Sequence, residues 1–425
     1  MMYKWLKDLF YFNRSLTGEG NKKTLKYFSN INPVFKILKF SSGSKVFDWK
    51  IPYEWSVKKA YIKNIKNGKI YANFKKNNLH LVGYSIPKNI KIPFNQLKKK
   101  IYSERKYPNA IPFVTSYYKK DWGFCLAYNE LKKMSDGIYE VNIDSKFNKG
   151  NLEVAHALLK GKSKKEIMFS SYICHPSMAN NELSGPVLLN YILRFLRLNF
   201  KNHYYSYRFV LGPETIGSIA YLSKFKNHLK KNLLAGYVLS CVGDDRRFSH
   251  TKSPSENNLA DISLTASLIG KKNVHVYSFL DRGSDERQYC SPKINLPFTT
   301  FSRSKFGTYP EYHTSKDDLN LVSEKGLIKS FEVIKDIINS FEIGVIPYNT
   351  KYCEPHLSKY NLYPTISSKD NYKNNDVREI TDLLGYSDGK SNIFEISSKI
   401  NLELNKLLKH LKTLKKLKLL KTKYL

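Results

Sequence analysis

The sequence predicts an α/β protein: a largely parallel sheet flanked by helices, with a small β-rich domain inserted and a winged helix at the C-terminal end. Three observations carry this reading. Short apolar runs alternate with longer amphipathic stretches between residues 131 and 350. Four of those runs end in polar turns that carry His, Asp or Glu. Residues 41–130 have another texture, with short aromatic-rich pieces and no long helix pattern. The expected division is 1–40 with 131–350 as the main α/β domain, 41–130 as the insert, and 351–425 as linker and winged helix-turn-helix.

Residues 1–40 read as mostly helical. Trp5, Leu6, Leu9 and Phe10 recur at helix spacing, and Arg14-Ser15-Leu16-Thr17-Gly18-Glu19-Gly20 then breaks the pattern. In the insert, Asn67-Gly68 is a hairpin-turn pair between alternating runs. The main domain is expected to place strands at 139–143, 167–173, 207–211, 235–241, 274–279 and 298–301. Helices are expected at 186–200, 218–229, 259–269 and 324–341. Residues 346–370 read as a polar, Pro-bearing linker. Residues 374–425 form a Lys/Leu-rich unit with three helix candidates and a terminal wing strand, expected to fold separably.

The 425 residues suffice for a full core, and abundant Tyr and Phe argue against disorder. The formal charge is +35, but lysine far outnumbers arginine. That composition reads first as a lysine-rich proteome, and second as attraction to nucleic acid, anionic glycans or a membrane face. No run is long and apolar enough for a membrane span, and no signal peptide is visible. The five cysteines are widely spaced and form no metal knuckle, which points to a reducing cytoplasm. A homo-oligomer is left open.

Metal-assisted hydrolysis needs neutral imidazoles and carboxylates around a bound water, plus a base. His175, Glu182, Glu214, Asp244 or Asp245, and His313 each fall in polar turns of the strand-helix pattern. In an open α/β sheet such residues meet at one edge. Each has a plainer alternative. Glu214 could cap the next helix, and Asp244-Asp245 could be a turn. Asp285-Glu286-Arg287 could clamp a substrate's amine and carboxylate, or be a surface ion-pair cluster. Asp48, Trp49, Glu54 and Trp55 could line a substrate groove, or belong to the insert's core and turns.

The order His, acid, Glu, Asp, His, ending in Tyr312-His313-Thr314-Ser315, resembles the co-catalytic zinc aminopeptidases and glutaminyl cyclases. Arg14 to Gly18, Trp122 to Cys125, Cys174 to Gly185, Pro213 to Gly217 and Ser284 to Gln288 narrow the resemblance to bacterial aminopeptidase-like proteins with an inserted domain and a winged helix. The resemblance implies zinc, as one or two ions, or another divalent metal. It implies His175, Asn181, Glu214, Asp244 and His313 as the ligand set, with Ser240 or Cys241 alternatives to Asp244 by strand register. It implies Asp285 and Arg287 on the substrate side, and Asp317 as an orienting residue. Asn181 stands where the family has a bridging Asp, and Pro213 where it has a general base. Glu182 or Glu286 is therefore the expected base. The expected activity is hydrolysis of a peptide or amide bond by metal-activated water. The alternative is a catalytically degenerate fold that senses a ligand and meets nucleic acid through 374–425, mainly by lysine-phosphate contacts.

Overall fold

A computed structural model describes residues 1–363 and 376–425. The end of the expected linker and the first residues of the 374–425 unit lie outside the described residues.

The core is an eight-stranded sheet. In chain order its strands are β1 (Lys36–Ser41), β2 (Asn151–Leu159), β3 (Glu166–Tyr172), β4 (Ser206–Gly212), β5 (Leu233–Leu239), β6 (Phe248–Thr251), β7 (Val274–Tyr277) and β8 (Phe298–Ser302). They lie in the order β1-β2-β4-β3-β5-β8-β6-β7. The four central strands β4, β3, β5 and β8 run parallel, while β1 and β2 at one side, and the β8–β6 junction at the other, are antiparallel. Every residue of β3 is buried, as its near-continuous apolar run requires of a strand covered on both faces. Ile167 and Phe169 point into one hydrophobic core and Met168 into the other. Helices Met2–Leu9, Ser184–Asn199 and Glu324–Glu342 cover the first face. Helix Ile216–Asn232 and the insert cover the second. Gly185 is required where its helix crosses the sheet: an added Cβ would sit 2.3 Å from the Leu239 carbonyl oxygen.

Two boundaries differ from expectation. The strand expected at 139–143 is part of Ile138–Asn148, and it pairs in the insert's own antiparallel sheet with Glu54–Asn64 and Lys88–Pro93. The insert's sheet therefore extends past residue 130. Residues 36–41 are an edge strand of the main sheet, not helix.

The C-terminal unit has helices Asp376–Tyr386, Ile393–Lys399 and Leu404–Lys416. Its wing strand Leu420–Lys423 pairs with Ile346–Asn349, the first residues of the stretch read as linker. Its apolar residues join the main core without a break: Phe394 packs edge-on against Phe341, and Tyr424 stacks on Tyr204 at 3.6 Å. The unit expected to be separable thus shares one apolar core with the main domain. The Leu404–Lys416 helix is amphipathic, and its buried face of Leu404, Leu407, Leu408, Leu411 and Leu414 packs into this shared core. No described helix is long and apolar enough to cross a membrane.

Candidate active site

The carboxyl ends of β3, β4 and β5 deliver His175, Glu214 and Cys241 to one edge of the sheet, and the loop after β8 brings His313 to it. These loops hold four non-glycine residues in the left-handed region: Ser177 (φ 49°), Thr215 (65°), Cys241 (54°) and His313 (55°). Such conformations cost energy and gather at functional sites.

His175 is fixed from behind. Its Nδ1 lies 2.9 Å from Glu182 Oε2, and Glu182 Oε1 lies 3.3 Å from Arg14 Nε. Arg14 Nε also donates to the His175 carbonyl, and its Nη1 to the Leu9 carbonyl at 2.6 Å. Arg14 and Glu182 are both buried. Burial pushes the Glu182 carboxyl up, to about 8, against the pull of Arg14. Burial, with the Arg14 cation, holds His175 down at about 3, so the ring is neutral. Above about pH 8, where Glu182 is ionised beside the Arg14 cation, it can only accept a hydrogen bond. Nδ1 then carries the proton and Nε2 keeps its lone pair, the arrangement carboxylates impose on metal-binding imidazoles. Glu182, expected as the base, thus lies against His175 Nδ1. The π-helical turn Ala179–Leu183 swings its carboxylate behind the imidazole, away from where a water would be activated.

His313 faces His175, with ring centroids 5.2 Å apart. Phe113, from the insert, wedges against both rings at 5.0 and 5.3 Å, and its backbone N–H donates to the His313 carbonyl. Tyr312 stacks on His313 at 3.9 Å. Burial, then the neighbouring His175, holds His313 near 3. Its Nε2 is buried without a hydrogen-bond partner.

Glu214 keeps partial exposure. Its Oε1 accepts from the Ser284 hydroxyl at 2.7 Å, and its N–H donates to Cys174 Sγ. Burial, then the nearby Asp285, raises its carboxyl. Asp285, expected on the substrate side, is buried. Its Oδ1 accepts from Thr215 N and Ser218 Oγ, where helix Ile216–Asn232 begins. Glu286, the other expected base, is buried, and its two oxygens accept from Gly283 N, Ser284 N and Thr300 Oγ1. Arg287 is exposed, held by the Ser284 carbonyl and Thr215 Oγ1.

The other acids hold the turn itself. Asp317 accepts from the N–H groups of Ala179, Asn180 and Asn181, and from the Tyr309 hydroxyl. It orients the turn, not His313. Asp244 accepts from Ser304 N and Oγ, Asn180 Nδ2 and Arg246 N. Those four bonds engage both oxygens of this expected ligand. Asn181 Oδ1 accepts from Tyr172, whose hydroxyl also meets Ser240.

Two histidines with uncommitted Nε2 atoms and one carboxylate form a donor set suited to zinc. Their atoms are not as tightly grouped as Cys174, His175 and Glu182, which lie within 4.8 Å of one another. That tighter group uses the Nδ1 already bonded to Glu182, and burial pushes its thiol well above the ordinary range. It is the support behind His175. Sequence reasoning missed Arg14 as part of the site, and Phe113 altogether. The signal for Arg14 was its place in the Arg14–Gly18 segment that helped narrow the family resemblance. Nothing in the sequence singles out Phe113.

A family model described as a domain of unknown function, DUF4910, matches residues 3–344, and a winged helix-turn-helix model matches 345–422. A Clostridium acetobutylicum protein named "Putative polysaccharide biosynthesis protein with aminopeptidase-like domain" is 36% identical over 411 residues, 96% of this chain and 92% of the relative. A crystal structure of a "putative peptidase" from Clostridium acetobutylicum superposes with a TM-score of 0.88 at 35% identity, over 99% of this chain and 95% of that one. A zinc aminopeptidase from Bacillus subtilis superposes at 0.58 and 13% identity, over 80% of this chain and 93% of that one; this likeness is one of fold.

Proposed function

This chain belongs to the DUF4910 family, with a winged helix-turn-helix at its C-terminal end, and from that premise we propose that it is a metal-dependent hydrolase of a peptide or amide bond. The observation that carries the reading is the facing pair of neutral histidines with uncommitted Nε2 atoms, one held from behind by the buried Glu182–Arg14 pair. His175, His313 and Glu214 would hold the ion. When bound, a zinc-type ion supplies Lewis acidity and an activated water.

The chain's own contributions follow from its contacts. Glu182 fixes the ring and tautomer of His175. Phe113 and Tyr312 hold His313 and keep water from its faces. Asp285 and Ser284 place Glu214. Glu214 is the one carboxylate of the expected set that is neither buried behind a histidine nor spent on backbone groups. Burial and the nearby Asp285 raise it in the metal-free chain, and a bound cation would favour its ionised, ligating form. Arg287, exposed beside Thr215, is placed to meet an anionic substrate group. The name of the Clostridium relative supports a saccharide that carries an amide.

Metal analysis of protein purified without chelator tests this reading, beside release of amine from an aminoacyl or N-acetylamino-sugar amide. About one zinc per chain, lost in His313→Ala and Glu214→Gln, is expected. A metal-free chain with no turnover on added zinc would favour the ligand-sensing alternative, to which Asn181 and Pro213 already lend weight.

A further inference from the structure

Four of the exposed large aromatics among the described residues gather at one place beside the insert's sheet. Trp49, Tyr53, Tyr118 and Phe147 keep 38%, 45%, 56% and 38% exposure. Three of them line a cavity of about 590 Å³ together with Tyr84, and Trp49 packs edge-on to Tyr118 at its rim. The volume is that of a small-ligand site.

The shelf is rigid. Tyr84 stacks on Trp55 at 5.5 Å, with Phe147 edge-on to it. Its hydroxyl is tied to Thr17 Oγ1 and donates to the Tyr53 carbonyl. Tyr118 is held at φ 61°, a backbone conformation that is costly for an aromatic residue. The cavity's charged lining is Lys50, Lys119 and Lys120, with no acid. Among the described residues Lys50 and Lys120 form no ion pair, and exposed Lys119 touches Asp121 only at 4.0 Å.

We propose that this groove binds an acidic saccharide, its ring faces on Tyr53, Tyr118 and Phe147 and its carboxylate among Lys50, Lys119 and Lys120. Aromatic faces accept the apolar face of a flat ring, and lysine supplies point charge without the bidentate geometry that phosphate-selective sites take from Arg. No Arg, Asn or Gln lines the groove to read a base edge. The same 14–18 segment serves both places: Arg14 supports His175, and Thr17 anchors Tyr84. The inference rests on the hydrolase reading only in assigning the groove the acidic part of that substrate.

The test is binding to the full chain without added metal, followed by Trp fluorescence and calorimetry at about 25 mM salt. Hyaluronan tetrasaccharide carries uronate and N-acetyl groups, whereas chitotetraose carries N-acetyl groups alone. The acidic probe is expected to bind at least about tenfold more tightly, and to weaken as salt rises. Tyr118→Ala and the double variant Lys50→Glu/Lys120→Glu should each weaken it about tenfold, with unchanged circular dichroism. Equal binding of both probes, no saturable binding of either, insensitivity to both variants, or tighter binding of the oligonucleotide dT6 would overturn the proposal. Zinc content and turnover of the same preparation test the hydrolase reading separately. A zinc-free, inactive chain that still prefers hyaluronan overturns that reading and leaves the groove assignment standing.

Discussion

Replacing Arg14 by methionine isolates the support behind His175. The guanidinium is fully buried, and it contacts Glu182 at 3.3 Å, the His175 carbonyl at 3.2 Å and the Leu9 carbonyl at 2.6 Å. Methionine fills much of the volume but makes none of those bonds. Breaking a buried pair from one side leaves an uncompensated charge, which typically costs about 3–5 kcal/mol. Burial already favours the neutral form of Glu182, so the carboxyl should take up a proton and lower that cost toward about 3 kcal/mol. A protonated Glu182 no longer accepts from Nδ1 in the same way, and metal affinity should fall about 10–100-fold, as when outer-shell partners are lost. The double variant Arg14→Met/Glu182→Gln removes both charges and keeps an amide oxygen to accept from His175. It should recover about 2 kcal/mol relative to Arg14→Met alone. Urea unfolding of the metal-free chain gives the stability change, and zinc competition with a chelating dye gives the affinity. A single variant that loses less than about 1 kcal/mol and binds zinc as before would refute the support role.

Three further outcomes are expected. His175 is buried neutral, with its folded value near 3 and an unfolded value near 6.5. Its stability contribution is full above about pH 6.5 and is lost as pH falls toward 3, amounting to roughly 1.4 kcal/mol by pH 5.5; unfolding of metal-free His175→Gln should lack that slope. Asn181→Asp puts a carboxylate where Tyr172 now donates, and should lower metal-free stability by about 1–3 kcal/mol; unchanged stability would show that the amide is not in the packed network described. A chain ending at Gly344 should aggregate, because Phe341, Ile338 and Leu327 share a core with Phe394 and Leu411; a soluble monomer with unchanged melting would restore the separable unit.

The sequence by itself determined five of the main sheet's eight strands, the helices that flank it, and the turns that carry His175, Glu214 and His313. Those features are local: an apolar run of the right length, a polar turn after it, and an order of residue types along the chain. Even the winged helix was legible, because Leu404, Leu407, Leu408 and Leu411 mark one helix face. What each charged side chain does was decided only by the tertiary structure. Glu182, Asp244, Asp285, Glu286 and Asp317 look alike as acids in a run of letters. Each became a support or a hydrogen-bond anchor because of groups distant in the chain: Arg14 is 168 residues from Glu182, and Asp317 is 136 from Asn181. The strand at Ile138–Asn148 joined the insert for the same reason, since pairing partners are set by the sheet that has an open edge and not by the strand's own pattern. Phe113 reached the two imidazoles only because the insert folds back over the sheet edge. A buried carboxylate's role depends on which donor reaches it first, and that is a property of packing.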